Sequence, residues 1–144
     1  TEEGRNTLSA DMIAKIALLD ADGERVDITA FTAQRGKEDA YFKNREIKDL
    51  LREIGGRSTA VNWRLVDFDR ERLTAERLGV TEYSHVLVQR GSDRVDIRAR
   101  DLFRRRGRAD ERRVEFLGED AVARAFSQLH TPRRHPRDAN SATQ

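Results

Sequence analysis

Apolar residues recur at helical spacing at Met12, Ile13, Ile16 and Ala17. They follow Ser9, a residue type whose hydroxyl accepts a bond from the free N–H groups of a first helical turn, so a short helix is predicted there. Asp22-Gly23 is a turn signal, and Val26, Ile28 and Ala30 alternate with Asp27, Thr29 and Phe31 as a half-buried strand does. The chain is polar from Thr32 to Asp39, with Gly36 inside, and reads as a loop. Ile47, Leu50, Leu51 and Ile54 then fall at i, i+3, i+4 and i+7, which predicts an amphipathic helix that Gly55-Gly56 ends.

Val61, Trp63, Leu65 and Val66 predict a second strand, closed by Asp67-Phe68-Asp69. Either aspartate is suited to cap a helix that runs through Leu78, with Gly79 in the left-handed position behind it and Val80 as its apolar contact. Val86-Leu87-Val88, the turn Gly91-Ser92-Asp93, and Val95 and Ile97 in alternation read as an antiparallel hairpin. From Arg104 to Arg113 a polar loop is expected, followed by a short strand at Val114 and Phe116. Gly118-Glu119-Asp120 opens a last helix with Val122, Ala125, Phe126 and Leu129 on one face. Periodicity stops after His130, so residues 1–130 are expected to form one domain and residues 131–144 a disordered tail.

Composition narrows the chemistry. Hydrophobic residues are 37% and charged residues 38% of 144, with a net charge of +2 and a pI of about 9.3. The basic character is a small excess of arginine over many acids, a weak argument for a nucleic-acid partner. Cysteine is absent, which excludes disulfides, thiolate catalysis and thiolate-bound zinc. No run approaches the ~20 apolar residues of a membrane span, so the chain as given is expected to be soluble.

Several residues invite a catalytic reading that their context does not support. His85 follows Tyr83 and Ser84, but no Gly-x-Ser-x-Gly turn occurs, and a loop histidine before a strand is the simpler expectation. Asp67, Asp69 and Glu71 lack the length and glycine of a calcium loop and are better explained as capping residues. His130 and His135 lack the spacing of a metal pair, and Trp63 and Phe126 fall on apolar faces that belong in a core. No catalytic, metal or cofactor group is therefore expected. The arginines from Arg98 to Arg113 are interrupted by Asp101, Asp110 and Glu111 and have Phe103 as their one interleaved aromatic. They read best as a solvated loop or a docking surface for an acidic partner, with nucleic acid or anionic lipid headgroups as alternatives.

From Val26 onward the order is strand, helix, strand, helix, strand, strand, helix. A parallel strand-helix-strand unit followed by a hairpin gives a mixed sheet with helices on both faces. This order is similar to the thioredoxin fold. The expected class is α/β, a thioredoxin-like mixed β-sheet flanked by helices, with an extra N-terminal helix. The redox chemistry of that fold is missing: Thr32-Ala33-Gln34-Arg35-Gly36-Lys37 stands where the Cys-x-x-Cys would be, and Tyr83-Ser84-His85 where a cis-proline would precede the hairpin.

A closer resemblance rests on Arg5-Asn6-Thr7-Leu8-Ser9, Val26-Asp27-Ile28-Thr29-Ala30-Phe31, Leu50-Leu51, Val66-Asp67-Phe68-Asp69 and Gly118-Glu119-Asp120-Ala121-Val122. These occur in the order seen in GldG-like proteins, auxiliary components of ABC-type transport systems. The resemblance implies a transmembrane helix ahead of the Thr-Leu-Ser stretch and a domain on the extracytoplasmic face of the bacterial cytoplasmic membrane. It also implies permease and ATPase subunits, or another extracytoplasmic protein, as partners. The chain departs from the family at Phe68, which follows Asp67 where the family commonly has proline. By analogy with the substrate face of thioredoxins, the expected binding surface comprises Thr32, Gln34, Arg35, Tyr83, Ser84 and His85, with Arg104, Arg105 and Arg106 as its charged part. The expected role is non-catalytic binding. The alternative is a basic adaptor that holds nucleic acid or an acidic partner through residues 98–113.

Overall fold

A computed structural model of the chain describes residues 8–33, 38–107 and 113–130. Helix α1 (Ala10–Asp22) leads into β1 (Val26–Thr32), α2 (Glu38–Arg57), β2 (Val61–Asp67) and the short α3 (Arg72–Arg77). The hairpin β3 (His85–Arg90) and β4 (Asp93–Ile97) follows, then α4 (Ala99–Leu102), β5 (Phe103–Arg106), β6 (Arg113–Phe116) and α5 (Gly118–His130). The main sheet has the order β2-β1-β3-β4. β1 runs parallel to β2 from Val26↔Val61 to Thr32↔Asp67, while β3 is antiparallel to both β1 and β4. One strand antiparallel to the other three in this order is the thioredoxin-like arrangement, here with α1 added in front.

The two faces of the sheet are covered unequally. Met12, Ile16 and Leu19 of α1, Ile47, Leu51 and Ile54 of α2, and Val122, Phe126 and Leu129 of α5 pack on Val26, Ile28, Ala30, Val86, Val88 and Ile97. Each such large side chain stabilises the fold by about 1.5–3 kcal/mol relative to exposure. On the opposite face Phe31 and Leu87 meet Phe68, Ala75 and Val80 from the turn and helix after β2. With six residues, α3 covers only one end of that face. The rest is polar, and Asp27, Thr29, Asn62, Arg64 and Gln89 line an open cleft of about 350 Å³ there.

Three joints hold the layers in place. The Ser9 hydroxyl caps Met12 N–H at 3.1 Å, and Ser9 N–H donates to Glu119 Oε2 at 2.7 Å, which ties the start of α1 to the first turn of α5. Asp20 Oδ1 accepts the Ser58 hydroxyl at 2.7 Å and the Ala60 N–H at 3.2 Å, fixing the α2–β2 connection to α1. Arg90 donates to Leu129 O at 2.7 Å, pairs with Asp22 at 2.5 Å and meets Glu24 at 2.8 Å, so one guanidinium joins β3 to α1 and to a free carbonyl near the end of α5.

Some sequence expectations give way. Thr29 and Phe31 are buried although alternation placed them outward: Phe31 lies under the second core at that end of the sheet, and Thr29 sits on a central strand at the floor of the open cleft. Gly55-Gly56 does not end α2, which continues to Arg57. Gly55 serves a close approach instead, since a Cβ there would lie 2.6 Å from Trp63 Nε1. Asp67 turns the chain rather than capping a helix: its carboxylate accepts the Asp69 N–H at 3.0 Å, and α3 begins only at Arg72 without a side-chain cap. Gly79 behaves as expected, with φ 77°. Val80 N–H bonds to Ala75 O at 2.8 Å and Gly79 N–H to Glu76 O at 3.1 Å, the paired bonds of a Schellman ending. The arginine-rich segment is not a loop at its ends. Phe103 pairs with Phe116 and Arg105 with Val114 in a two-stranded antiparallel ribbon. The expected tail over residues 131–144 lies outside the described residues.

The two glycines of α2 make the close approach testable. Gly55→Ala is expected to destabilise by about 1–3 kcal/mol, because the Trp63 indole must move. Gly56→Ala, which meets open space, is expected to stabilise by up to about 1 kcal/mol. Paired urea unfolding curves check both signs.

Candidate functional site

β1 ends and β3 begins at the same edge of the sheet, and this end gathers most of the residues singled out in the sequence. Ser84 N–H donates to Phe31 O at 2.7 Å, and Phe68 N–H donates to Thr32 O at 2.9 Å. Ser84 adopts φ 62°, a left-handed conformation that costs a side-chain-bearing residue free energy and persists only where its surroundings impose it. This strained residue stands where the thioredoxin fold has its cis-proline, and the described residues contain no cis peptide bond.

The loop before β3 is held from two sides. Tyr83 donates its hydroxyl to Asp69 Oδ1 at 2.7 Å and sets its ring edge-on to Phe68, with centroids 5.1 Å apart. That bond to a carboxylate raises the Tyr83 phenol above its ordinary value. Arg72 lies 4.6 Å over the Phe68 ring and meets Asp69 at 3.4 Å. On the other side Glu82 Oε2 accepts Ala99 N–H at 3.1 Å and approaches Arg98 Nε at 3.4 Å, which anchors the chain leaving β4. The arginine ribbon therefore starts from the same end of the sheet as the Tyr83–Ser84 turn.

His85 is not a loop residue. It opens β3 and is only 2% exposed. Its Nε2 lies 2.8 Å from Asp96 Oδ2, and Asp96 is gripped by Arg94 at 2.7 and 2.9 Å. Arg94 also donates to Leu78 O at 2.5 Å, so the group links β4 to the end of α3. The hydrogen bonds from Arg94 hold the Asp96 carboxyl below its ordinary range against the opposing effect of burial, and the bond to His85 adds to the lowering. An ionised Asp96 accepts, so Nε2 carries the donated proton, and Nδ1 is buried with no hydrogen-bond partner among the described residues. With one nitrogen committed and the other shut from solvent, this imidazole ties β3 to β4.

The expected surface thus divides. Tyr83 is exposed, while Thr32, Ser84 and His85 are buried and shape the turn beneath it. Gln34 and Arg35 lie outside the described residues. Arg104 and Arg105 are exposed on β5, with Arg104 3.6 Å from Glu115 across the ribbon, and Arg106 is placed on β5 by its backbone. Trp63 packs against the core and Phe126 lies within it, as expected. Among the described residues no group of three acidic or histidine side chains could hold a metal ion. Glu82, Arg94 and Asp96 were not singled out in the sequence. A two-residue turn at Gly91-Ser92 sets Arg90 opposite Asp93 and hence Leu87 opposite Asp96, which places Asp96 on the His85 face, so the hairpin register was the signal that could have found the pair.

Eight arginines lie between residues 98 and 113 against three acids, so the remainder of the chain carries slightly more acid than base. The net positive charge is concentrated in the ribbon and its approach.

No family model and no curated protein matches the chain. Among solved structures it is similar to one described as a designed protein, at 20% identity and a TM-score of 0.46 over 58% of this chain and 74% of that one. A second, described as a malarial protein, matches at 15% identity and a TM-score of 0.46 over 74% of this chain and 98% of that one. None of the described helices is long and apolar enough to cross a membrane.

The Asp96 group predicts a pH dependence. Folding lowers this carboxyl, so its stabilisation is present above the unfolded value of about 3.9 and is lost as pH falls through the lower folded value. Asp96→Asn is expected to lower the urea midpoint at neutral pH. The gap from wild type is expected to close once the medium is acidic enough to protonate Asp96 in the folded protein.

Proposed function

We propose that this chain is a non-catalytic binding domain that docks an acidic protein partner at the β1–β3 end of its sheet. The observation that carries this reading is the local concentration of charge, eight arginines against three acids over residues 98–113, on a chain whose remainder taken together carries slightly more acid than base. The exposed Tyr83 edge, fixed by Asp69 and Glu82, supplies a rigid aromatic contact beside that charge. The resemblance to GldG-like proteins supports an ABC-type transport system as the setting, on the extracytoplasmic side of the membrane, with permease or ATPase-associated subunits as partners. Several residues of that resemblance are structural joints here: Ser9 meets Glu119, and Asp67 turns the chain after β2. They therefore favour a shared fold more strongly than a shared partner.

The antiparallel ribbon favours one second reading, nucleic acid held by the same arginines, because two-stranded ribbons of this kind fit a groove. The two readings separate on partner and salt. Crosslinking in the native cells followed by purification from the membrane fraction is expected to recover a permease and an ATPase. Replacing Arg104 and Arg105 together by Gln is expected to weaken capture about tenfold, mainly through a slower on-rate. Duplex DNA titrated by fluorescence anisotropy is expected to bind weakly. Tight binding that falls steeply with salt and disappears in the Gln variant establishes the nucleic-acid reading instead.

A further inference from the structure

Of the two edge strands of the main sheet, β4 is guarded and β2 is not. Asp93, Arg94 and Asp96 make three of the five residues of β4 charged, and such charges keep an edge from pairing with another chain. β2 has seven residues, and Arg64 is the single charge ahead of its terminal Asp67. Val26 N–H donates to Ala60 O at 2.9 Å and Phe68 N–H to Thr32 O at 2.9 Å, so the even-numbered residues from 60 to 68 turn their N–H and C=O toward β1. The odd-numbered residues turn theirs away. Val61 N–H is taken by the Ser58 hydroxyl at 3.1 Å, and Asp67 O accepts from Arg70 and Glu71. Between these stops the N–H and C=O groups of Trp63 and Leu65 have no partner among the described residues.

An open groove of about 550 Å³ follows this row. It touches residues 64–67 in succession, together with Arg70, Glu71 and Thr74. Consecutive side chains of a strand point to opposite faces, so an opening against all four residues runs along the edge, where the backbone is. The two sides of this edge differ in chemistry. On the inner face Trp63 and Leu65 are half-buried at the margin of the main core, as is Leu50 of α2. On the outer face Arg64 is exposed, and Arg70 lines the groove from the turn after β2. Neither arginine has an ion-pair partner among the described residues. The acids beside them are engaged: Asp67 accepts the Asp69 and Arg70 N–H groups at 3.0 and 3.4 Å, and Glu71 the Thr74 hydroxyl at 3.4 Å.

We infer that β2 takes an added strand from a protein partner, an extended segment in which acidic residues alternate with apolar ones. The free row dictates the backbone, because a strand presents donors and acceptors at the matching repeat of ~6.7 Å. Alternation along that strand sends one set of side chains beside Arg64 and Arg70, where carboxylates meet unpaired guanidinium groups, and the other set beside Trp63 and Leu65. A second copy of β2 is a poor occupant. The two-fold register that pairs Trp63 with Leu65, and so satisfies the whole row, sets Arg64 opposite Arg64, where like charges repel. The arginine ribbon departs from β4, the opposite edge of the sheet, so this contact is separate from the one proposed above.

Trp63 is the one tryptophan of the chain and reports on this edge directly. The acetylated and amidated peptide Glu-Val-Glu-Val-Glu-Val-Glu, titrated into the full chain, is expected to shift Trp63 emission and to saturate below about 1 mM. It is also expected to slow amide hydrogen exchange at Trp63 and Leu65. A peptide with Lys in place of Glu is expected not to bind, and Arg64→Glu combined with Arg70→Glu is expected to weaken binding about tenfold or more. Leu65→Pro removes one outward N–H and leaves the bonds to β1 whole; it is expected to abolish binding while thermal unfolding stays cooperative. Arg104→Gln combined with Arg105→Gln is expected to change nothing, which separates this edge from the ribbon. Absence of binding overturns the inference, as does equal binding of the Lys peptide or of the Arg64→Glu, Arg70→Glu variant. Binding to the wild type without added protection at the Trp63 and Leu65 amides overturns strand addition, whatever the stability of the proline variant.

Discussion

Six of the seven residues of β1 are buried, because this strand is hydrogen-bonded to β2 on one side and β3 on the other and carries a core on each face. Val26, Ile28 and Ala30 complete the large core under three helices, while Phe31 anchors the small one under α3. Everything else takes its position from that strand. Its parallel partner must return through α2, and its antiparallel partner must arrive from the far side of α3. The turn that delivers β3 is fastened directly to β1 by the Ser84 to Phe31 hydrogen bond. A left-handed φ at Ser84 is the local cost of that fastening.

The same constraint decides what the candidate site can present. Thr32, Ser84 and His85 are drawn inward by the meeting of β1 and β3, while Tyr83 beside them stays exposed. His85 had the residue type of a catalytic base, yet it is buried in the sheet and Asp96 holds its Nε2. Polar groups at this end work on one another: Asp69 on Tyr83, Glu82 on Ala99, Arg94 on Asp96 and Leu78. Such a network fixes one loop conformation. A rim held this way has little conformational entropy left to lose, which is what the proposed docking role asks of it.

Charge and apolar surface are kept apart on this molecule. The arginine ribbon leaves from the β1–β3 end, whereas the exposed Ile13 and Leu18 of α1 lie on the outer side of the helical layer. The two surfaces differ in kind: charge acts at long range and weakens with salt, whereas apolar surface acts only in contact.

Periodicity in the sequence determined the elements whose burial is one-sided. The helix carrying Ile47, Leu51 and Ile54, the helix carrying Val122, Phe126 and Leu129, the hairpin around Gly91-Ser92 and the Gly79 ending stand where local pattern and turn chemistry place them, because those signals act within a few residues. Cysteine content alone removed the redox chemistry. Tertiary structure decided the rest. Phe31 is buried only because a second core forms on the other side of its strand, and a side chain at Gly55 is barred only because Trp63 arrives from β2. The arginines join a ribbon only because Phe103 and Phe116, thirteen residues apart in sequence, pack on each other and on the core. The His85–Asp96 bond needs the register of two strands. Contacts between residues far apart in the chain leave no local period, so only the folded arrangement brings them into view.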